Sequence, residues 1–186
     1  MNIRLFTLII TTLFLAACNT EEKQTVKVGG RYFIELPGSF KEAKELNEAA
    51  SLQYQDLGNE FYVIVIDEPK DVLEKALFDN ALESTYTPDI NGYSKLVIEG
   101  IDPSVAIDSV PPFTEGTVGG LKSREISFTG ISQGYHIYWK FAFVEGKNRY
   151  YQIMLWTMAE NRDKREKDMQ EIIRSFRETD KSKSAK

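Results

Sequence analysis

Apolar and polar positions alternate over residues 31–36, and the run stops at Pro37-Gly38. That pattern predicts a half-buried strand closed by a turn. Residues 51–55 alternate again, with Leu52 and Tyr54 on one face. After Gly58-Asn59 comes Phe61-Tyr62-Val63-Ile64-Val65-Ile66, apolar on both faces, as expected of a central strand covered on both sides. Residues 121–129, 135–144 and 149–158 are three later strands, and Glu145-Gly146-Lys147-Asn148 joins the last two as a hairpin turn.

The period then changes. Val72, Leu73, Ala76, Leu77, Ala81 and Leu82 recur at helical spacing, with Pro69 suited to the first turn and Asp67, Glu68 and Asp71 to its positive end. Met169, Ile172, Ile173 and Phe176 share a face of a final helix capped by Asn161. A weaker helix covers 90–99 despite Gly92. Residues 100–120, with Pro103, Pro111, Pro112, Gly116, Gly119 and Gly120, predict only short extended pieces. Singly striped helices together with strands apolar on both faces make an α+β plan. The expected form is a three-layer α/β/α sandwich around a largely antiparallel sheet.

The ends of the chain add a location. Arg4 precedes an apolar run from Leu5 to Leu15, followed by Ala16-Ala17-Cys18. Residues 5–17 would rise only about 20 Å as a helix, short of the roughly 30 Å hydrocarbon core, so a cleaved signal peptide fits better than a transmembrane anchor. Leu15-Ala16-Ala17-Cys18 resembles the lipobox of bacterial lipoproteins. That resemblance implies cleavage after Ala17, a diacylglyceryl group on the Cys18 thiol and a further acyl chain, such as palmitate, on the new N-terminus. More than one acyl chain gives stable anchoring. The expected organisation is a signal peptide at 1–17, a lipidated tether at 18–29, one domain at 30–177 and a disordered polar tail at 178–186. The protein is expected in the bacterial cell envelope, lipid-anchored at the periplasmic face or the cell surface.

Composition narrows the choice of partners. Cys18 is the single cysteine, so the exported domain has no disulfide and no free thiol chemistry. Loss of Arg4 with the leader takes the 23 basic side chains to 22 against 28 acidic ones, a formal charge of −6. An acidic body argues against nucleic acid and against adhesion to anionic lipid. The expected partners are the membrane, through Cys18, and an envelope protein.

Three segments carry a family resemblance: Tyr32-Phe33-Ile34-Glu35-Leu36-Pro37-Gly38-Ser39-Phe40, the strand pair 51–55 and 61–68, and 150–153 through Ile172-Ile173-Arg174-Ser175-Phe176. An opening strand ending in Leu-Pro before an aromatic, with a last strand followed by a helix ending in Ser-Phe, resembles the PsbP-like group. That group includes a photosystem extrinsic protein, the yeast Ran-binding Mog protein and many bacterial lipoproteins. The resemblance implies an α/β/α sandwich. It implies no mechanism, because members bind different partners, and with one histidine the chain has no counterpart to the metal-binding histidines of the photosystem proteins.

Candidate chemistry is sparse. His136, Tyr138 and Lys140 share one side of a strand, opposite Ile137, Trp139, Phe141 and Phe143, and form the candidate polar binding set. Asp67, Glu68 and Asp71 suit a helix terminus better than a cation site. Asp89-Ile90-Asn91-Gly92 lacks the spacing of a calcium loop and reads as a turn. The charge runs 122–125 and 162–167 read as solvated surface. The aromatics Tyr135, Tyr138, Trp139, Tyr150, Tyr151 and Trp156 should alternate between core and an exposed patch suited to binding. No catalytic residue, cofactor or metal is expected. The leading function is a non-enzymatic binding or accessory module, and the alternative is a hydrolase or metal-dependent enzyme with a site assembled from scattered residues.

Overall fold

A computed structural model describes residues 22–179. The leader, Cys18 and the end of the tail lie outside the described residues.

Eight strands form the main sheet. They are β3 (Lys41–Glu42), β4 (Leu52–Asp56), β5 (Phe61–Pro69), β6 (Ala106–Ile107), β7 (Thr114–Val118), β8 (Leu121–Ser132), β9 (Tyr135–Glu145) and β10 (Arg149–Met158). Their order is β3-β4-β5-β10-β9-β8-β6, with β7 also paired to β8, and every pairing is antiparallel. A second sheet joins β1 (Lys23–Val28), β2 (Tyr32–Pro37) and β11 (Arg177–Glu178). The helices are α1 (Lys70–Asp79), α2 (Ile90–Glu99) and α3 (Arg162–Ser175).

The double cover expected of β5 is present. Val63, Ile64 and Val65 are all fully buried, so both faces of this strand are packed. On one face Val63, Val65, Leu155 and Ile153 meet Met169, Ile172 and Ile173 of α3 and Ile34 and Leu36 of β2. On the other, Ile126, Phe141, Phe143 and Tyr150 meet Leu73 and Leu77 of α1 and Ile90, Tyr93 and Ile98 of α2. The result is the expected α+β sandwich, with one refinement: the α3 layer is part helix and part small sheet.

Helix α2 forms where the weaker pattern predicted it, and Asp89 explains its start. The Asp89 carboxylate accepts from the backbone N–H groups of Asn91 and Gly92, each at 2.9 Å, satisfying donors that a helix start leaves unpaired. Gly92 is needed there, since a Cβ would lie 1.9 Å from the Thr87 carbonyl oxygen.

Several expectations are corrected. Residues 23–28, expected within a tether, form β1, with Lys23 opposite Pro37 and Val28 opposite Tyr32. Glu178 and Thr179, expected in the tail, are bound to the domain: Glu178 pairs with Tyr32 and the Thr179 N–H donates to the Arg31 carbonyl. Asn161 stands at the N-cap position of α3, but its side chain makes no capping hydrogen bond. A 3-10 turn, Ala159–Asn161, leads into the helix, and the Asn161 side chain reaches Glu60 instead. Helix α1 ends at Asp79, so Ala81 and Leu82 lie beyond it, and Val72 is exposed.

Asp67 is the most instructive correction. In β5 it falls on the same face as Val63 and Val65, away from α1. Its side chain is 1 % exposed, with Arg31 Nη1 2.8 Å and Arg149 Nε 2.5 Å from Oδ2. The acid ties the small sheet to the large one rather than serving a helix terminus.

Candidate functional site

Strand β9 places Tyr138 and Lys140 beneath α3. The Tyr138 O–H donates to Glu166 Oε2 at 2.6 Å, and Lys140 Nζ donates to Glu166 Oε1 at 2.6 Å. The Lys140 side chain is only 9 % exposed, with Glu125 Oε2 at 4.0 Å. Arg162 covers the Tyr138 ring, its guanidinium carbon 4.9 Å from the centroid. Burial pushes the Glu166 carboxyl up, but hydrogen bonds from Lys140 and Tyr138 and the charges of Lys140 and Arg162 outweigh it and hold its pKa below the ordinary value. Burial, then the Glu166 hydrogen bond, pushes the Tyr138 phenol up to about 12.

His136 is not part of that group. It is exposed near the start of β9, with Nε2 3.2 Å from Asp108 Oδ2, an oxygen that also accepts from Thr129 Oγ1 at 2.6 Å. The structure therefore brings two of the three sequence candidates together and leaves the third apart.

Glu166 was hidden in a run read as solvated charge. The available signal was its place three residues before Met169, which puts it at the edge of the buried stripe of α3. Arg124, in the other charge run, is also engaged: it donates to Ser94 Oγ at 2.7 Å and covers the Phe113 ring at 4.1 Å. Among the described residues no group of three or more His, Cys, Asp or Glu side chains is placed to hold a metal ion.

The strongest candidate surface is on the α1–α2 face. Register aligns four aromatic residues across four strands: Tyr62 opposite Trp156, Trp156 opposite Trp139, and Trp139 opposite Phe128. Tyr62 and Trp156 stack with centroids 5.1 Å apart, and Trp139 lies 5.8 Å from Phe128. Helices α1 and α2 cover the rows nearer Tyr150 but stop short of this one, leaving Tyr62, Trp139 and Trp156 half-buried. Tyr138 and Tyr151 go to the core on the α3 face, as alternation expects, but Tyr150, on the same face as the row, is buried as well, beneath α1 and α2.

Beside the row a groove of about 410 Å³ opens between the sheet and the end of α2. Phe128, Trp139, Phe141 and Met154 form its floor, Val97 and Ile101 one wall, and Gln152 and Asn47 supply amide groups. A concave apolar surface with a few polar groups suits an apolar side chain or a small amphiphile.

No family profile matches the chain, and no curated protein matches it. Solved structures do resemble it. Cyanobacterial PsbP (CyanoP) from Synechocystis sp. PCC 6803 has a TM-score of 0.51 at 10 % identity, over 87 % of this chain and 95 % of that one. A structure from Bacteroides thetaiotaomicron VPI-5482 has a TM-score of 0.53 at 9 % identity over 88 % of this chain, which spans half of that longer protein. At such identity the likeness establishes the fold, and the fold is PsbP-like. Among the described residues no helix is long and apolar enough to cross a membrane.

Proposed function

We propose that the protein is a lipid-anchored, non-enzymatic binding or accessory module of the bacterial envelope, with Cys18 as its attachment point and the aromatic groove as its binding surface. The observation carrying the binding role is the row Tyr62–Trp156–Trp139, left half-buried beside the buried Phe128 in a sheet whose neighbouring rows are packed under helices. Half-buried Trp and Tyr side chains offer large contact area at low entropic cost, which is why they dominate binding hot spots. The anchor rests on the Leu15-Ala16-Ala17-Cys18 sequence. The groups best suited to chemistry are otherwise engaged: Lys140 and Tyr138 by Glu166, and His136 by Asp108.

Two measurements test this. Cys18→Ser should release the protein from membranes or leave it unprocessed, and a shortened, unlipidated chain still fractionating with membranes would refute the anchor. For the groove, a photoreactive residue at Ile101 in cells should give a discrete adduct. Trp139→Ala should abolish that adduct, since removing a central aromatic contact costs about 2 kcal/mol or more of binding. An adduct indifferent to Trp139→Ala, in a variant with unchanged melting, would sink the groove assignment.

A further inference from the structure

The beginning of β1 fixes which end of the domain an anchor at Cys18 would hold. Glu22 already belongs to the fold, because its carbonyl accepts from the Gly38 N–H at 2.6 Å. From Cys18 to Glu22 is a step of four residues, at most about 14 Å when fully extended. The twelve-residue spacer expected from sequence is therefore largely used up by β1. A leash this short leaves the domain little freedom to turn over.

The end it holds can be traced through contacts. Gly38 follows β2, and two residues later the Phe40 ring packs on Phe61, with centroids 5.0 Å apart. Lys41 pairs with Gln55 of β4. Phe61 opens β5, so this is the end of the large sheet where Leu57–Asn59 joins β4 to β5. Antiparallel pairing brings three further features to the same end: the finish of β10, with Thr157 opposite Phe61, the start of β9 and the finish of β8.

That end is unusually apolar. Among the described residues six large apolar side chains are exposed, and three of them are here: Leu57 at 67 %, Tyr135 at 61 % and Ile131 at 48 %. Tyr135 and Trp139 fall on one face of β9 by alternation, so Tyr135 continues the uncovered aromatic row toward the rim. Tyr and Trp, with an apolar body and one polar atom, are the side chains that favour the headgroup level of a bilayer. The charges nearby are mixed, Glu60, Asp108 and Glu160 against Arg162 and Arg165, so the surface selects for lipid as such and not for anionic headgroups.

We propose that this end of the sheet is a lipid-facing surface: with Cys18 acylated, Leu57, Tyr135 and the Tyr62–Trp156–Trp139 row rest on the membrane that holds the anchor. The inference rests on the lipid-anchor reading for its setting. The contact can be weak in isolation, because tethering supplies a high effective concentration. It gives the domain a fixed orientation, with the groove mouth beside the bilayer.

The chain carries two tryptophans, Trp139 and Trp156, and both lie in the row, so tryptophan emission reads this surface alone. The protein from Cys18 onward, which retains every described residue, is coupled through its single thiol to a maleimide lipid. The lipid is held in phosphatidylcholine vesicles with or without bromine near the headgroup end of the acyl chains. Bromine should quench the emission, and the double variant Leu57→Glu, Tyr135→Glu should lose that quenching while keeping its melting temperature. Equal emission in both kinds of vesicle, or quenching indifferent to the two glutamates, would overturn the proposal. Chemical coupling replaces the cell's own acylation, so failure here concerns orientation, whereas failure of the Cys18→Ser fractionation concerns the anchor.

Discussion

At the scale of single residues, placement on a face decides what an acid does. Asp67 stands in an acidic stretch that suggests a helix end and Glu166 in a mixed charge run that suggests solvent, yet each pairs with positive charge at a packed face. For Glu166 this has a pH consequence. Its folded pKa lies below the ordinary value of 4.5, so its contribution to stability is complete above that value and is lost as pH falls through the depressed one. Urea midpoints should therefore fall on acidification below pH 4.5, and Glu166→Gln should flatten that fall. At neutral pH the variant should lose only about 1 kcal/mol, since the carboxylate is partly exposed and water screens the pair. An unchanged acid slope in Glu166→Gln would show that other carboxylates carry the dependence.

At the scale of elements, what was legible in the sequence was whatever buries side chains. The two-faced apolar run of β5, the hairpin of β9 and β10, and the stripe of α3 all follow from burial and are evident from periodicity, whereas of the α1 stripe only Leu73 and Leu77 are buried in the helix. β1 was obscured because it is an edge strand: only Gln24, Val26 and Val28 turn inward, and they are half-buried among Lys23, Thr25 and Lys27. β11 is two residues long and has no period to read. The aromatic row was half legible. Trp139 and Trp156 were visible as neighbours, but Tyr62 joins them through a register set across a distant strand pair. Two predictions follow from this division. Ile64→Asp and Val63→Asp should each cost at least about 4 kcal/mol, because each buries an unpaired carboxylate, and near-normal melting of either would mean an open sheet face. A chain begun at Gly30, the boundary read from sequence, should be markedly less stable than one begun at Glu22. It strips β1 from β2 and uncovers the core that Val26 and Val28 pack against. Equal denaturation midpoints for the two would return β1 to the status of a tether.

At the scale of the whole molecule, the sheet separates the groups that chemistry would need together. Tyr138, Lys140 and Glu166 lie under α3 on one face, and the aromatic groove opens on the other. His136 sits exposed at the sheet end, next to Asp108 and Thr129. That trio has the residue types of a hydrolytic site but the wrong order. Asp108 Oδ2 takes both contacts, whereas activation of a hydroxyl needs the imidazole between the acid and the nucleophile. Both the His136 and Asp108 side chains are also more than half exposed, so bulk water screens the pair and weakens any activation it could give. The purified domain should therefore show no turnover of ester, peptide, phosphoester or glycoside substrates, measured over a range of pH with His136→Ala as the control. Hydrolysis that His136→Ala abolishes would reverse this reading and make the Asp108 end of the sheet an active site.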